Sequence, residues 1–162
     1  EIGIMDYYGV KIQFVEIPAI VKKFSDKAMG PTYLGIMQQA DLLVLMFKTP
    51  EEKVLIDREI NSIGVKRAIY ANQSKKEFAN LVWAKLGLIK VYTKQRGKPR
   101  DFPPIAFEKG AVVRNIAEKV HRDFLKRFKF AKIYGKSAKF KGQVVGLDHV
   151  LEDGDAVELC MD

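Results

Sequence analysis

One cysteine and two histidines stand in 162 residues, and each scarcity removes a class of protein. Cys160 has no intramolecular partner, so no disulfide framework holds the chain. With His121 and His149 it falls short of the four ligands a structural zinc site takes. Long apolar runs are missing too. The longest, Ala40 to Phe47, is broken by Asp41 and lies far below the roughly 18 residues of a membrane span. Nothing at the N-terminus reads as a signal peptide, so a cytoplasmic, reducing compartment and no membrane partner are expected. What is present suffices for folding: 48% apolar content excludes wholesale disorder, and the length allows one ordinary domain or two small ones.

Charge is abundant and uneven. The chain carries 28 Lys and Arg against 20 Asp and Glu, a net charge of +8. Residues 1–87 hold 12 basic against 10 acidic side chains, whereas 88–162 hold 16 against 10. From Lys119 to Lys141 there are nine basic residues and one acid, Asp123. That density implies an acidic partner.

In the first half, Val10 to Val15 and Leu42 to Phe47 read as strands, with Ala68 to Ala71 a weaker third. The middle run is apolar throughout and is expected to be buried on both faces. Helices are predicted over Pro31 to Ala40, over Glu51 to Ile63 with Thr49 as N-cap and Pro50 at its first position, and over Lys75 to Leu86 with Ser74 as cap. Gly64 and Gly87 are the expected stops. Strands alternating with helices argue for an α/β layer with parallel pairing. After Gly87 the pattern changes: strands at Leu88 to Lys94 and Pro104 to Phe107, joined by the basic turn Gln95 to Asp101, precede one amphipathic helix from Ala111 to about Arg127. That helix would bury Val113, Ile116, Ala117, Val120, Phe124 and Phe128 on one face. Strands at Lys129 to Tyr134, Val144 to Gly146 and Ala156 to Met161 complete the order of a ubiquitin-like β-grasp domain. Two domains are therefore expected, 1–87 and 88–162.

The second half resembles a TGS domain, the module named for threonyl-tRNA synthetases, certain GTPases and the stringent-response alarmone enzymes. Leu86-Gly-Leu-Ile-Lys-Val-Tyr-Thr-Lys94 at its entry and Gly142-Gln-Val-Val-Gly-Leu-Asp-His-Val-Leu-Glu-Asp-Gly-Asp-Ala-Val-Glu158 at its exit carry the likeness. Among TGS proteins the chain is similar to the C-terminal part of the developmentally regulated, Obg-related GTP-binding proteins, in which a TGS domain follows the G domain. Tyr8-Gly-Val-Lys-Ile-Gln-Phe-Val-Glu-Ile-Pro-Ala-Ile20 resembles that family's strand and switch motif, and Gln38 to Leu45 the helix and strand after it. The resemblance implies a fold in two parts: an α/β N-terminal remnant of a P-loop GTPase-like domain, then an α+β ubiquitin-like β-grasp domain.

The same resemblance exposes a degenerate switch motif. Where the family has Asp-x-Pro-Gly, this chain has Glu16, Pro18 and Ala19. The phosphate-binding loop G-x-x-x-x-G-K-S/T and the Asn-Lys-x-Asp guanine reader are absent from these residues, Ala71-Asn-Gln-Ser-Lys75 being a poor imitation of the latter. Without the loop a nucleotide lacks its nest of backbone N–H groups, its lysine and the hydroxyl that holds Mg²⁺. Glu16 is one methylene too long for the metal-organising role, and the Cβ of Ala19 obstructs approach to the γ-phosphate. A pseudo-GTPase without catalytic residues, metal or cofactor is expected; the alternative is a fragment of a GTP-binding protein that holds GTP and Mg²⁺. Asp148-His149 has no nucleophile placed by a motif, Cys160 reads as a small apolar residue of the last strand, and Asp153-Gly-Asp155 reads as a turn.

The basic stretch is the remaining candidate. Lys119, Arg122 and Lys126 fall at helical spacings of three and four, opposite the apolar positions, as one exposed stripe. Lys132, Lys136, Lys139 and Lys141 extend the charge through a strand and loop, interleaved with Tyr134 and Phe140. Lysines neutralise phosphates, and an exposed ring stacks an unpaired base. The expected function is a non-catalytic RNA- or ribosome-binding adaptor, which the TGS resemblance also implies. The rival expectation is a protein-interaction module that engages a partner through the β-grasp sheet. A G domain lacking its first strand should also leave an open sheet edge, which either docks on the second half or pairs as a homodimer.

Overall fold

The structure, a computed structural model, describes residues 1–63, 68–71, 74–120 and 123–162. They form two compact units: Glu1–Ile4 with Gln13–Leu86, and Met5–Ile12 with Gly87–Asp162. The change of pattern at Gly87 thus has a complement at the N-terminus, where the tip of a hairpin belongs to the second unit.

That hairpin joins β1 (Ile2–Tyr7) to β2 (Val10–Val15). Its turn is Tyr8-Gly9, with positive φ at both residues, 51° and 91°, as a two-residue hairpin turn of the primed type requires. At its open end the Glu16 N–H donates to the Glu1 carbonyl (2.7 Å), and the Glu1 amino group donates to the Glu16 carbonyl (3.1 Å). This corrects the sequence expectation of one parallel layer: β2 pairs with β1, a strand the sequence did not reveal, and not with the Leu42–Phe47 run.

The first unit continues with α1 (Gly30–Gln39), β3 (Leu43–Leu45), α2 (Pro50–Ile63), β4 (Ala68–Tyr70) and α3 (Lys75–Leu86). β3 and β4 pair in parallel, Leu43 opposite Ala68 and Leu45 opposite Tyr70. Only Leu45 of β3 is buried; Leu43 and Val44 are half-exposed, so the strand is not covered on both faces as its composition suggested. With two strands in the sheet, there is too little neighbouring structure to cover both sides. Helix starts follow their letters. The Glu52 N–H donates to Thr49 Oγ (3.3 Å), and Glu77 accepts from the hydroxyl of Ser74 (2.8 Å). Phe24, Met37, Leu45, Ile56 and Ile60 form the core of this unit. Gly64 and the central Asn72-Gln73 of the imitation guanine motif lie outside the described residues.

The second unit holds β5 (Leu88–Thr93), β6 (Ile105–Glu108), α4 (Val113–Val120), α5 (Asp123–Lys126), β7 (Phe128–Tyr134), β8 (Gln143–Val145) and β9 (Ala156–Met161). The sheet order is β6-β5-β9-β7-β8, with β5 and β9 parallel at the centre and the other pairs antiparallel. Strand residues alternate between faces: Ile89, Val91, Ala131, Ile133 and Val157 point to one side, where Val113 and Ile116 of α4 close the core. The expected single helix of 111–127 is described as α4 and α5, with His121 and Arg122 outside the described residues. Val120 is 39% exposed and is not the core residue its spacing suggested. α4 has eight residues, about 12 Å at 1.5 Å per residue, and Val120 is its last, beyond the core positions Val113, Ile116 and Ala117. Among the described residues no helix is long and apolar enough to cross a membrane.

Candidate nucleic-acid interface

The two acids of the Asp153-Gly-Asp155 turn do more than reverse the chain. Asp153 accepts the Lys90 N–H (2.7 Å) and pairs with its ammonium (3.0 Å), tying the turn to β5. Asp155 is completely buried and accepts the N–H groups of Glu152 (2.8 Å) and Ser137 (3.3 Å). A Cβ on Gly135 would lie 2.1 Å from Asp155 Oδ1, so only glycine admits this carboxylate beneath the β7–β8 loop. The loop has further ties. Ser137 Oγ lies 2.9 Å from His149 Nε2, the Lys139 N–H donates to Gln143 Oε1 (2.6 Å), and the Gly142 N–H donates to the Ile133 carbonyl (2.9 Å). Residues 135–142 are therefore fixed in shape although Lys136, Lys139, Phe140 and Lys141 project into solvent.

Ser137 against His149 is a pairing that no motif signalled. It is a structural tie. Asp148, the acid beside the histidine, turns to Arg114 (3.1 Å) and does not orient the ring, while the Ser137 N–H is already given to Asp155. The pair thus lacks the third group of a nucleophilic triad.

The chain does not gather its basic stretch into one surface. Lys119 is exposed near the C-terminal end of α4, and Lys126 is exposed on α5. The β7–β8 loop belongs to the opposite end of α4, whose Val113 and Arg114 N–H groups donate to the carbonyls of His149 (3.0 Å) and Leu147 (2.9 Å). Between Lys126 and Lys136 runs β7, seven residues or roughly 20 Å of strand. Lys132 sits midway, opposite Glu158 and Val144, on the sheet face away from α4. Arg122 lies outside the described residues. Two groups result: Lys119 with Lys126, and the loop lysines Lys136, Lys139 and Lys141.

Three cations, Lys90, Lys94 and Arg100, are engaged by rings of the second unit. Lys90 lies 5.5 and 5.8 Å from the ring centroids of Tyr7 and Tyr8, the Arg100 guanidinium stacks 4.1 Å over Tyr92, and the Lys94 ammonium sits 5.0 Å over Tyr134. Tyr134 also donates its hydroxyl to buried Glu158 (3.0 Å), and burial together with that carboxylate holds its phenol above the ordinary tyrosine range. Tyr134 is accordingly part of the sheet's own packing and not a free ring. Lys136, Lys139 and Lys141 differ: among the described residues their ammonium groups meet no carboxylate and no ring. From Phe124 to Leu147 the chain has seven basic residues and no acidic one.

In the first unit, Glu16, Pro18 and Ala19 follow β2 as exposed residues. Glu16 and Pro18 border a small groove of about 370 Å³ with Val15, Ile17, Tyr33 and Ile36. Its lining is mainly apolar, and no lysine or arginine there would meet a phosphate.

Residues 89–161 match the TGS domain family. A GTP-binding protein of Methanocaldococcus jannaschii is 49% identical over 79 residues, covering 48% of this chain and 20% of that protein. Developmentally-regulated GTP-binding protein 2 of Homo sapiens is 33% identical over 110 residues, covering 67% of this chain and 30% of that protein. The chain thus spans less than a third of either relative. Among solved structures, a GTP binding protein from Pyrococcus horikoshii superimposes with a TM-score of 0.43 at 23% identity, over 83% of this chain and 36% of that one.

Proposed function

We propose that this chain, whose residues 89–161 are a TGS domain, is a non-catalytic RNA-binding adaptor that docks on ribosomal or other structured RNA. Residues 1–87 are read as a nucleotide-free remnant of a GTPase-like domain. The observation that supports RNA binding is the fixed loop with three unpaired lysines in an acid-free stretch. Lysines on a loop whose backbone is already bonded neutralise phosphates without the cost of ordering that loop on contact. Lys119 and Lys126 form a second contact at the other end of the domain.

Binding by phosphate contact releases counterions, so log K should fall against log salt with a slope of about −0.7 per phosphate on a single strand. Fluorescence anisotropy across a salt series tests this. Replacing Lys136, Lys139 and Lys141 together by Glu should weaken binding and flatten the slope while thermal stability holds. If the parent shows no affinity for RNA at low salt, the reading is wrong and a protein partner at the sheet takes first place.

A second reading draws on the length of the relatives: the chain is part of a longer GTP-binding protein. Glu16 and Ala19 weigh against a working nucleotide site in these residues. Calorimetry with GTP or GDP and Mg²⁺ tests the nucleotide-free reading, which a stoichiometric micromolar complex contradicts.

A further inference from the structure

Three aromatic rings of the second unit stand well out of the surface: Tyr8 (67% exposed), Phe102 (73%) and Phe140 (66%). Two of them have neighbours that explain their position. Tyr8 packs edge-on against Tyr7 at 4.9 Å, beside the Lys90 ammonium. Phe102 covers the hairpin turn so closely that a Cβ on Gly9 would lie 2.6 Å from its ring. Phe140 has no ring contact among the described residues, and it stands between Lys139 and Lys141. Its loop is held on both sides. The Lys139 N–H is bonded to Gln143 Oε1, and the Gln143 N–H donates to the Phe140 carbonyl (3.2 Å). Residues 135–138 are clasped by Asp155 and His149. Local bonding thus holds the backbone that carries this uncovered apolar ring, with a lysine before and after it in sequence.

We propose that Phe140 is a stacking platform for an unpaired nucleobase, so that the RNA bound at this loop is single-stranded at the point of contact; this rests on the RNA-binding reading above. An exposed ring whose neighbours in sequence are two lysines matches a nucleotide, whose base has an apolar face and whose flanking phosphates are anionic. Duplex RNA hides those faces in its stack and leaves phosphate contact alone. The carbonyl and amide ties beneath Phe140 make the ring ready before the ligand arrives. Lys136, Lys139 and Lys141 then supply affinity, and Phe140 supplies the preference for unpaired strand.

The test compares a labelled single-stranded oligouridylate with a blunt RNA duplex of equal length, by anisotropy on the full chain. The parent should prefer the single strand. Phe140→Ala should weaken single-strand binding by about 5- to 100-fold, leave duplex binding in place, and keep the salt slope because no charge is removed. Phe140→Trp should retain affinity, and the added indole should be quenched by the single strand. An exposed position makes both variants safe for folding, which the unfolding midpoint checks. Stacking is refuted if Phe140→Ala binds the single strand as the parent does. If the Lys136/Lys139/Lys141 reversal still loses binding in that case, the RNA reading stands without it; if neither variant changes binding, both fall. Polyglutamate bound with the same dependence on Phe140 also overturns the proposal, and the loop is then a docking point for an acidic peptide.

Discussion

Gly135→Ala is the substitution to which this domain should be most sensitive for its size. The added methyl would lie 2.1 Å from Asp155 Oδ1 and 2.8 Å from Asp155 Cα. Rotating the carboxylate cannot relieve the second contact, because a backbone atom must move. Asp155 is fully buried and serves the N–H groups of Ser137 and Glu152, so its retreat leaves two donors without an acceptor. Each costs at most about 1–3 kcal/mol when left unpaired, both sites being partly buried. Against this stands a gain of about 0.4–1 kcal/mol from the less flexible unfolded chain of alanine. The net expectation is a loss of about 1–5.5 kcal/mol. Gly146→Ala is the control: nothing lies within 4 Å of its added methyl, and only the small gain remains. Urea unfolding followed by tyrosine circular dichroism is weighted to the second unit, which holds Tyr7, Tyr8, Tyr92 and Tyr134 of the six tyrosines, whereas Trp83 reports the first. Amide exchange at Ser137 and Glu152 should accelerate by about 5-fold or more in Gly135→Ala, the equivalent of about 1 kcal/mol. The reasoning fails if Gly135→Ala unfolds within about 0.5 kcal/mol of the parent with those two amides still protected.

Tyr134, its phenol raised by burial and by Glu158, should titrate above the ordinary tyrosine value of about 10. Its contribution to stability should be complete below that pH and lost as pH climbs through the folded value, a slope that Tyr134→Phe removes; ultraviolet titration and alkaline unfolding read both. Ile116→Ala, at a fully buried position of α4, should cost about 2–5 kcal/mol in urea unfolding. Thr49→Ala removes the hydroxyl that caps α2 at 3.3 Å and should cost about 0.5–1 kcal/mol, read by Trp83 emission.

The second unit was legible wherever burial follows the strand or helix period. Ala131 and Ile133 alternate with Lys132, and the sheet is mixed with α4 packed across it, as expected. β1 was not legible because Gly3 interrupts its apolar pattern and because Tyr8, a residue that rarely adopts positive φ, carries the turn in place of Asn or Asp. Asp155 was read as a turn residue since its letter is polar. What buries it is a glycine and a backbone N–H some twenty positions back in the chain, a pairing that only the closed sheet creates. Charge counted along the chain gives no distances, and β7 carries the chain the length of the sheet between Lys126 and Lys136. Phe140 and the loop lysines were visible as letters. That their loop is rigid was not, for its ties to His149 and Asp155 are long-range.

Polypeptide passes between the two compact units three times, after Ile4, Ile12 and Leu86, where domains strung in sequence pass once. A proteolytic nick at Gly87 therefore makes two chains without making two modules, since the N-terminal product takes Met5–Ile12 away from the second unit. Nicked halves should stay threaded together as a split protein, and a gene cut at that point encodes a TGS fragment whose Phe102 and Pro104 have lost the glycine turn moulded to them. Transplanting the domain intact calls for a graft of the hairpin tip or a circular permutation that brings residues 5–12 in line with 87–162.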